Sequence, residues 1–593
     1  MQFTPINTIN TVIEWLKSRL NRKQFLLFSS VIVGLSVALA AIVLKSFVHY
    51  IFLFSGYIST GNFKYFPLIL PFIGILLTVL VVKYVLRGKI EKGIWNIHFA
   101  LAKKSADVPK EQMYAQILTS SLTVGFGGSA GLEAPIVITG AAFGSNYSKT
   151  YKLEKKEKTL LLACGVAAGI ASVFNAPIAG VLFALEVLII DISISAFTPL
   201  ILSAATGALI SKIFLEDDVL LSFQLQQPFN YLNLPFYVLL GILAGLISIY
   251  HSRTFTKIEG MFSDAPKRKY INVLIGGLGI ALLLLVFPSL FGEGYQSIKI
   301  LSTLKPEKLL DNSIFHYMQG NKWFVLIFIG AIIFIKSIAT GLTIGSGGNG
   351  GNFAPSLFVG SYLGFFYSRC VNMLNIGNLP ESNFTIVGMA GVLSGLYHAP
   401  LTAIFLIAEI TGGYTLIIPL MIVSSISFGI SKYFEPYSMD TKKLSKTGSH
   451  FTSNRDHNIL TTLNTQALVE ENFVKISPDT KLADIVEIIS KSQRNIFPVV
   501  KITNELEGII TLDKIKEVLF KTELYDTLTA RELMTAPPTI INLTDSMETV
   551  MEKFDETGAW NLPVIQNELY YGFISKSTIF SHYRLKIKED TIE

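Results

Sequence analysis

The chain has 593 residues, of which 50% are hydrophobic and only 16% charged, with a mean hydropathy of +0.50. Soluble domains carry about 25% charged residues, so most of this chain must be solvated by lipid. A net charge of +6 without a basic stripe on a soluble module argues against nucleic acid as a partner. Two cysteines in apolar surroundings, Cys164 and Cys370, argue against a disulfide framework.

Residues 1–24 read as a short, partly amphipathic segment, and Arg19, Arg22 and Lys23 before the first apolar run place it on the cytosolic side. Phe25–Leu44 and Tyr65–Val82 are free of charge and long enough to span a bilayer. Further apolar runs begin near Leu160, Phe197, Phe236, Ile271, Trp323, Phe384 and Ile410. Several are cut by Gly or Pro, which predicts half-length or re-entrant helices. The lysine-rich loops at 83–92 and 149–158 are placed inside with the N-terminus.

Two stretches in this region repeat each other. Gly131-Leu132-Glu133-Ala134-Pro135 and Gly351-Asn352-Phe353-Ala354-Pro355 stand 220 residues apart, and each is followed by matched glycines, Gly140 and Gly144 against Gly360 and Gly364. A second matched pair comes next, Asn175-Ala176-Pro177 with Glu186 and His398-Ala399-Pro400 with Glu409. Broken helices at corresponding places of two repeats point to an ion or substrate site near the membrane midplane. A helix N-terminus offers free N–H groups and the positive end of the helix dipole, so the chemistry favours an anion. The glycines of 127–131 and 345–351 let the backbone come close to it, and the lysine that ends a nucleotide-binding phosphate loop is absent. Glu133 stands out, because a carboxylate at this depth is costly and can itself occupy an anion site until a proton releases it. Glu186 and Glu409, at matched positions, are expected to bond neighbouring helix ends. Lys336 is free either to add positive potential or to snorkel. No nucleophile–base pair or metal-binding spacing is visible, so the chain is not read as an enzyme.

After about Asp440 the composition changes. Residues 441–466 read as a polar, basic linker, and 467–593 as a soluble α/β module that repeats internally. Asn495–Val500 and Glu507–Thr511 match Trp560–Ile565 and Tyr571–Ser575, each pair preceded by a helix with one apolar face: Leu482, Ile485, Val486 and Ile489, then Met547, Val550, Met551 and Phe554. This pattern resembles a tandem pair of CBS modules, a family that commonly holds adenosine nucleotides. The aspartate that holds the ribose there is replaced by Lys514 after Thr511 and by Thr578 after Ser575. A structural or dimerising role is therefore favoured, with an adenosine nucleotide as the alternative.

Residues 25–440 resemble the CLC family of chloride channels and proton-coupled chloride transporters. Gly-Leu-Glu-Ala-Pro matches the family's Gly-(Arg/Lys)-Glu-Gly-Pro motif with Leu132 and Ala134 as substitutions, and Gly-Asn-Phe-Ala-Pro fits Gly-x-Phe-x-Pro. Phe174–Gly180 is a close match as well. The resemblance implies an all-α membrane domain of inverted repeats with broken helices, a cytosolic CBS pair, a homodimer with one pathway per subunit, and a multi-pass protein of the plasma (inner) membrane with both termini cytosolic. By the same resemblance Glu133 is the gating glutamate. Phe353 and Tyr437 line the central anion site, joined by Gly131, Leu132, Ala134, Gly351, Asn352 and Ala354 at the helix starts. The family's first motif survives only as Gly93-Ile94, with Lys92 where a serine belongs. Val187 stands where proton exchangers often carry an internal glutamate. The expected function is transport of chloride or a similar small anion, with channel-like conduction favoured over proton/chloride antiport. A CBS-regulated cation transporter is the alternative from another class.

Overall fold

The computed structural model describes residues 13–59, 66–103, 105–188, 194–215, 228–263, 269–445, 460 and 463–590, so the first half of the expected N-terminal segment and much of the expected linker lie outside the described residues. The chain divides into a membrane unit, up to Phe451, and a second unit, Thr452–Thr591.

The membrane unit is helical throughout: α1 (Arg22–Ser59), α2 (Leu70–Leu80), α3 (Trp95–Lys103), α4 (Gln112–Gly125), α5 (Glu133–Thr150), α6 (Lys155–Phe174), α7 (Pro177–Glu186), α8 (Ile194–Leu215), α9 (Leu234–Ser263), α10 (Lys269–Val286), α11 (Tyr295–Ser302), α12 (Lys322–Gly345), α13 (Phe353–Met373), α14 (Glu381–Tyr397), α15 (Pro400–Ile410), α16 (Ile417–Phe434) and α17 (Thr441–Ser445). Eight helices among the described residues are long and apolar enough to cross a membrane, and α7 and α15 are apolar but about half that length. The apolar run beginning at Ile410 is not one span. Gly412, at φ +80°, breaks it, so α15 stops at Ile410 and α16 starts seven residues on.

The duplication seen in the sequence is structural. α5 crosses α6 as α13 crosses α14. A methyl group on Gly140 would lie 2.2 Å from the Gly165 carbonyl, and one on Gly360 would lie 2.4 Å from that of Gly388. The matched glycines downstream of each Ala-Pro therefore serve close helix crossing. Asn175 and His398 end α6 and α14 in the left-handed conformation, at φ +54° and +56°, and the following Ala-Pro starts α7 and α15 with proline at the first helical position. The two half-length helices pack on each other and exchange caps. Glu186 accepts N–H bonds from Leu401 (3.0 Å) and Thr402 (2.6 Å), and Glu409 accepts them from Ile178 (3.1 Å) and Ala179 (2.9 Å). These carboxylates complete helix N-termini that would otherwise have open donors in an apolar setting.

The stretch read as linker begins inside this unit. Thr441 is buried, Lys442 pairs with Glu435 at 2.5 Å and Lys443 with Glu259 at 2.6 Å, so α17 is anchored to the end of α16 and to α9.

The second unit contains α18 (Leu482–Lys491), β1 (Ile496–Val500), β2 (Leu506–Thr511), β3 (Ile541–Asn542), α19 (Met547–Thr557), β4 (Asn561–Gln566), β5 (Leu569–Ser575) and α20 (Lys576–Asp590), with short helices between. β1 pairs antiparallel with β2 and β4 with β5, and both ladders shift register at the same place, after Val499 and after Val564. Phe473, Ile496, Val500, Ile509, Tyr570 and Phe573 form one apolar cluster shared by the two repeats.

Candidate anion pathway

The N-termini of α5 and α13 meet. Gly131 and Gly351 exchange backbone hydrogen bonds as a two-residue antiparallel bridge, at 2.9 and 2.8 Å. This bridge holds the two positive helix ends side by side, which sums their potential at one point. Glu133 is 1% exposed and lies at that point. Its Oε1 accepts from the Tyr295 hydroxyl at 2.9 Å, its Oε2 accepts from the Ala354 N–H at 3.3 Å, and its own backbone N–H faces the carboxylate. The carboxylate thus rests on amides of both helix starts. Glycine is required beside it: a methyl on Gly131 would lie 2.1 Å from Glu133 Oε2.

The other sequence-derived positions fall on three sides of this point. Leu132 is buried, and its N–H donates to Glu293 at 3.3 Å. Ala134 and Ala354 are small enough for the bridge, with Ala134 directly against Gly351. Phe353 is fully buried, its ring 5.4 Å from Tyr397, 5.7 Å from Phe174 and 5.8 Å from Phe183. The Asn352 side chain turns back into the protein, where its Oδ1 meets His251 Nε2 at 2.9 Å and its amide donates to Met439 Sδ at 3.1 Å. Lys92 is tied down. Its ammonium donates to the carbonyls of Gly347 (2.7 Å) and Gly348 (2.8 Å), in the loop leading to α13. Val187 is buried at the end of α7, and its carbonyl meets His98 Nε2 at 2.7 Å. Tyr437 is half-buried in the stretch between α16 and α17, and among the described residues it is not one of the rings packed on Phe353. Tyr397, the last residue of α14, takes that place.

Several residues here carried no motif. Glu293, in the glycine-flanked turn before α11, and Tyr295, the first residue of α11, line a cavity of about 660 Å³ together with Lys45, His49, Lys308 and Leu132. Lys336 does not snorkel. It is fully buried, donates to Ser129 Oγ at 2.8 Å and to the Gly292 carbonyl at 3.3 Å, and lies over the Phe358 ring at 4.6 Å. It therefore places its amine behind the loop that opens α5. A signal for Tyr397 was present in its place beside the duplicated His398-Ala399-Pro400 turn, which fixes where α14 ends.

In the second unit, Thr578 and Ser575 donate to Glu470 Oε1 at 2.6 and 2.9 Å, and Arg494 bonds Oε2 at 2.6 Å. Burial alone would raise the Glu470 carboxyl. The hydrogen bonds from Thr578, Ser575 and Arg494 outweigh it and hold the group below the ordinary carboxylate value. Lys514, at the other substituted position, pairs with Glu517 at 2.9 Å on the surface.

Comparison with known proteins identifies the family and the fold. A family model described as voltage gated chloride channel matches residues 73–432, and a CBS domain model matches 466–521 and 530–584. Chloride channel protein CLC-e of Arabidopsis thaliana is 30% identical over 362 residues, which covers 57% of this chain and 48% of the plant protein, so the match spans about half of that relative. A putative ClcB-like chloride channel protein of Ralstonia nicotianae is 29% identical over 363 residues, covering 60% of this chain and 80% of that protein. Two solved structures share the fold. A slow cyanobacterial Cl−/H+ antiporter has a TM-score of 0.61 at 22% identity, over 72% of this chain and 98% of its own. A eukaryotic CLC transporter has a TM-score of 0.59 at 20% identity, over 93% and 97%. With its paired helix N-termini, its duplicated half-length helices and its two CBS modules, this multi-pass membrane protein belongs to the CLC family of voltage-gated-type chloride channels.

Proposed function

We propose that the chain moves chloride or a similar small anion across a membrane through a pathway closed by Glu133. One observation carries the reading: the Glu133 carboxylate is held by amides of two helix N-termini that face each other, a site whose donors suit any small anion. Protonation removes the charge that holds the side chain there, and an anion can then replace it. Lys336 and the basic lining of the neighbouring cavity, Lys45 and Lys308, add attraction along the route. Leu132, Ala134, Phe353 and Tyr397 supply the apolar and aromatic wall. The active form is a homodimer with a pathway in each subunit, in the plasma (inner) membrane with both termini cytosolic.

Val187 favours channel-like conduction. Proton/chloride antiport is the reading carried forward, because a second buried carboxylate, Asp440, lies near Tyr397. The test of the gate is chloride efflux from liposomes between acid and neutral pH. Glu133→Gln should keep or raise the flux and abolish its pH dependence. Loss of flux in folded protein, or an unchanged pH profile, would overturn the assignment.

A further inference from the structure

The segment between α16 and α17 is fixed to the base of the pathway at two points. The Met439 N–H donates to the Leu396 carbonyl at 3.3 Å, which ties it to the end of α14, and Met439 Sδ accepts from Asn352, which ties it to the start of α13. The next residue, Asp440, is 8% exposed, and its Oδ2 is buried without a hydrogen-bond partner. A buried carboxylate oxygen with no donor is unfavourable while charged, and a proton relieves that cost.

The surroundings give this carboxylate a direction. Tyr397 is 4% exposed, stands beside Phe353, and lies within electrostatic reach of both Asp440 and Glu133. A phenol that interacts with two carboxyl groups can accept a proton from one and release its own to the other. The charged and titratable groups around the pair are otherwise engaged. Lys443 and Glu259 act on Asp440 and pair with each other. His398, next to Tyr397, faces Lys432 and Glu435. His251 of α9 meets Asn352, and His98 of α3, which packs on α17, meets the Val187 carbonyl.

We propose that Asp440 is the inner proton-binding residue of this transporter and that Tyr397 hands protons between it and Glu133. The step is balanced: the O–H bond of Asp440 breaks, the Tyr397 oxygen takes that proton and releases its own, and the Glu133 carboxylate becomes a neutral acid. No electron transfer occurs. Asp440 thereby supplies, from a different element, the inward acid that Val187 cannot provide. The proposal rests on Glu133 as the gate.

The experiment is the reversal potential of the full-length protein in planar bilayers under opposed chloride and proton gradients, with chloride efflux measured in parallel. In wild type the reversal potential should move with the proton gradient. In Asp440→Asn chloride flux should persist while the reversal potential settles at the chloride value. Asp440→Glu should restore the proton dependence, and Tyr397→Phe should lower proton flux at least tenfold. A wild-type reversal potential blind to pH would overturn the proposal. So would full proton dependence in Asp440→Asn, or in Tyr397→Phe should the first variant fail to fold. If Glu133→Gln abolishes the pH dependence of chloride flux and Asp440→Asn changes nothing, the gate stands and this proposal alone falls.

Discussion

Tyr295→Phe removes one hydroxyl and leaves the ring that fills the space beside the gate. That hydroxyl donates to Glu133 Oε1 at 2.9 Å, whereas the Ala354 N–H reaches Oε2 at the longer distance of 3.3 Å, so the phenol is the shorter of the two contacts. A hydrogen bond to a charged group contributes about 1.5–3 kcal/mol. At about 1.4 kcal/mol per tenfold, its loss should lower the closed, carboxylate-occupied population roughly tenfold to a hundredfold. No cavity opens, because the ring is retained, and packing losses should not offset the effect. Chloride efflux from liposomes, measured with a chloride electrode, should therefore rise in Tyr295→Phe near neutral pH. At acid pH, where Glu133 is already released, variant and wild type should converge. Equal fluxes at every pH, or a slower variant near neutrality, would refute the account of how the carboxylate is held.

Three further outcomes follow from the same contacts. Gly131→Ala places a methyl 2.1 Å from Glu133 Oε2 and 2.9 Å from Ala354 Cβ, so it should dislodge the carboxylate and flatten the pH profile of efflux, which a wild-type profile would contradict. ATP, ADP and AMP should bind the purified full chain no more tightly than millimolar by calorimetry, because Thr578 and Ser575 are engaged by Glu470 and Lys514 by Glu517; micromolar affinity would show that these contacts yield to a nucleotide. Glu470→Gln should destabilise the second unit at neutral pH. The folded carboxyl titrates below its unfolded value, so its contribution is complete above the unfolded range and fades as pH falls through the folded one. Thermal unfolding should therefore separate variant and wild type at neutral pH and bring them together in acid, and a constant gap would contradict the pairing.

The sequence carried the architecture in its repeats. Gly131–Pro135 against Gly351–Pro355, and the left-handed turns at Asn175 and His398 before their Ala-Pro pairs, mark helix starts by local chemistry alone, since glycine, proline and capping residues act through their own backbone. The exchange of caps by Glu186 and Glu409 was legible from symmetry for the same reason. Tyr295, Glu293 and Asp440 were not legible. Each reaches the site through tertiary packing from an element whose own pattern is unremarked, and a single acid near a helix end reads as surface. Lys336 could be placed only by the fold, because an apolar run does not say which face of the helix meets the protein. The expected linker likewise began too early, since Lys442 and Lys443 read as solvated charges until Glu435 and Glu259 are seen beside them.

The central claim is that Glu133 occupies an anion site. Its most direct test is anomalous scattering from bromide-soaked crystals of wild type and Glu133→Gln. A bromide peak within hydrogen-bond distance of the Ala354 N–H in Glu133→Gln, and no peak there in wild type at neutral pH, is the result predicted. A peak at that place in both proteins, or in neither, would contradict it.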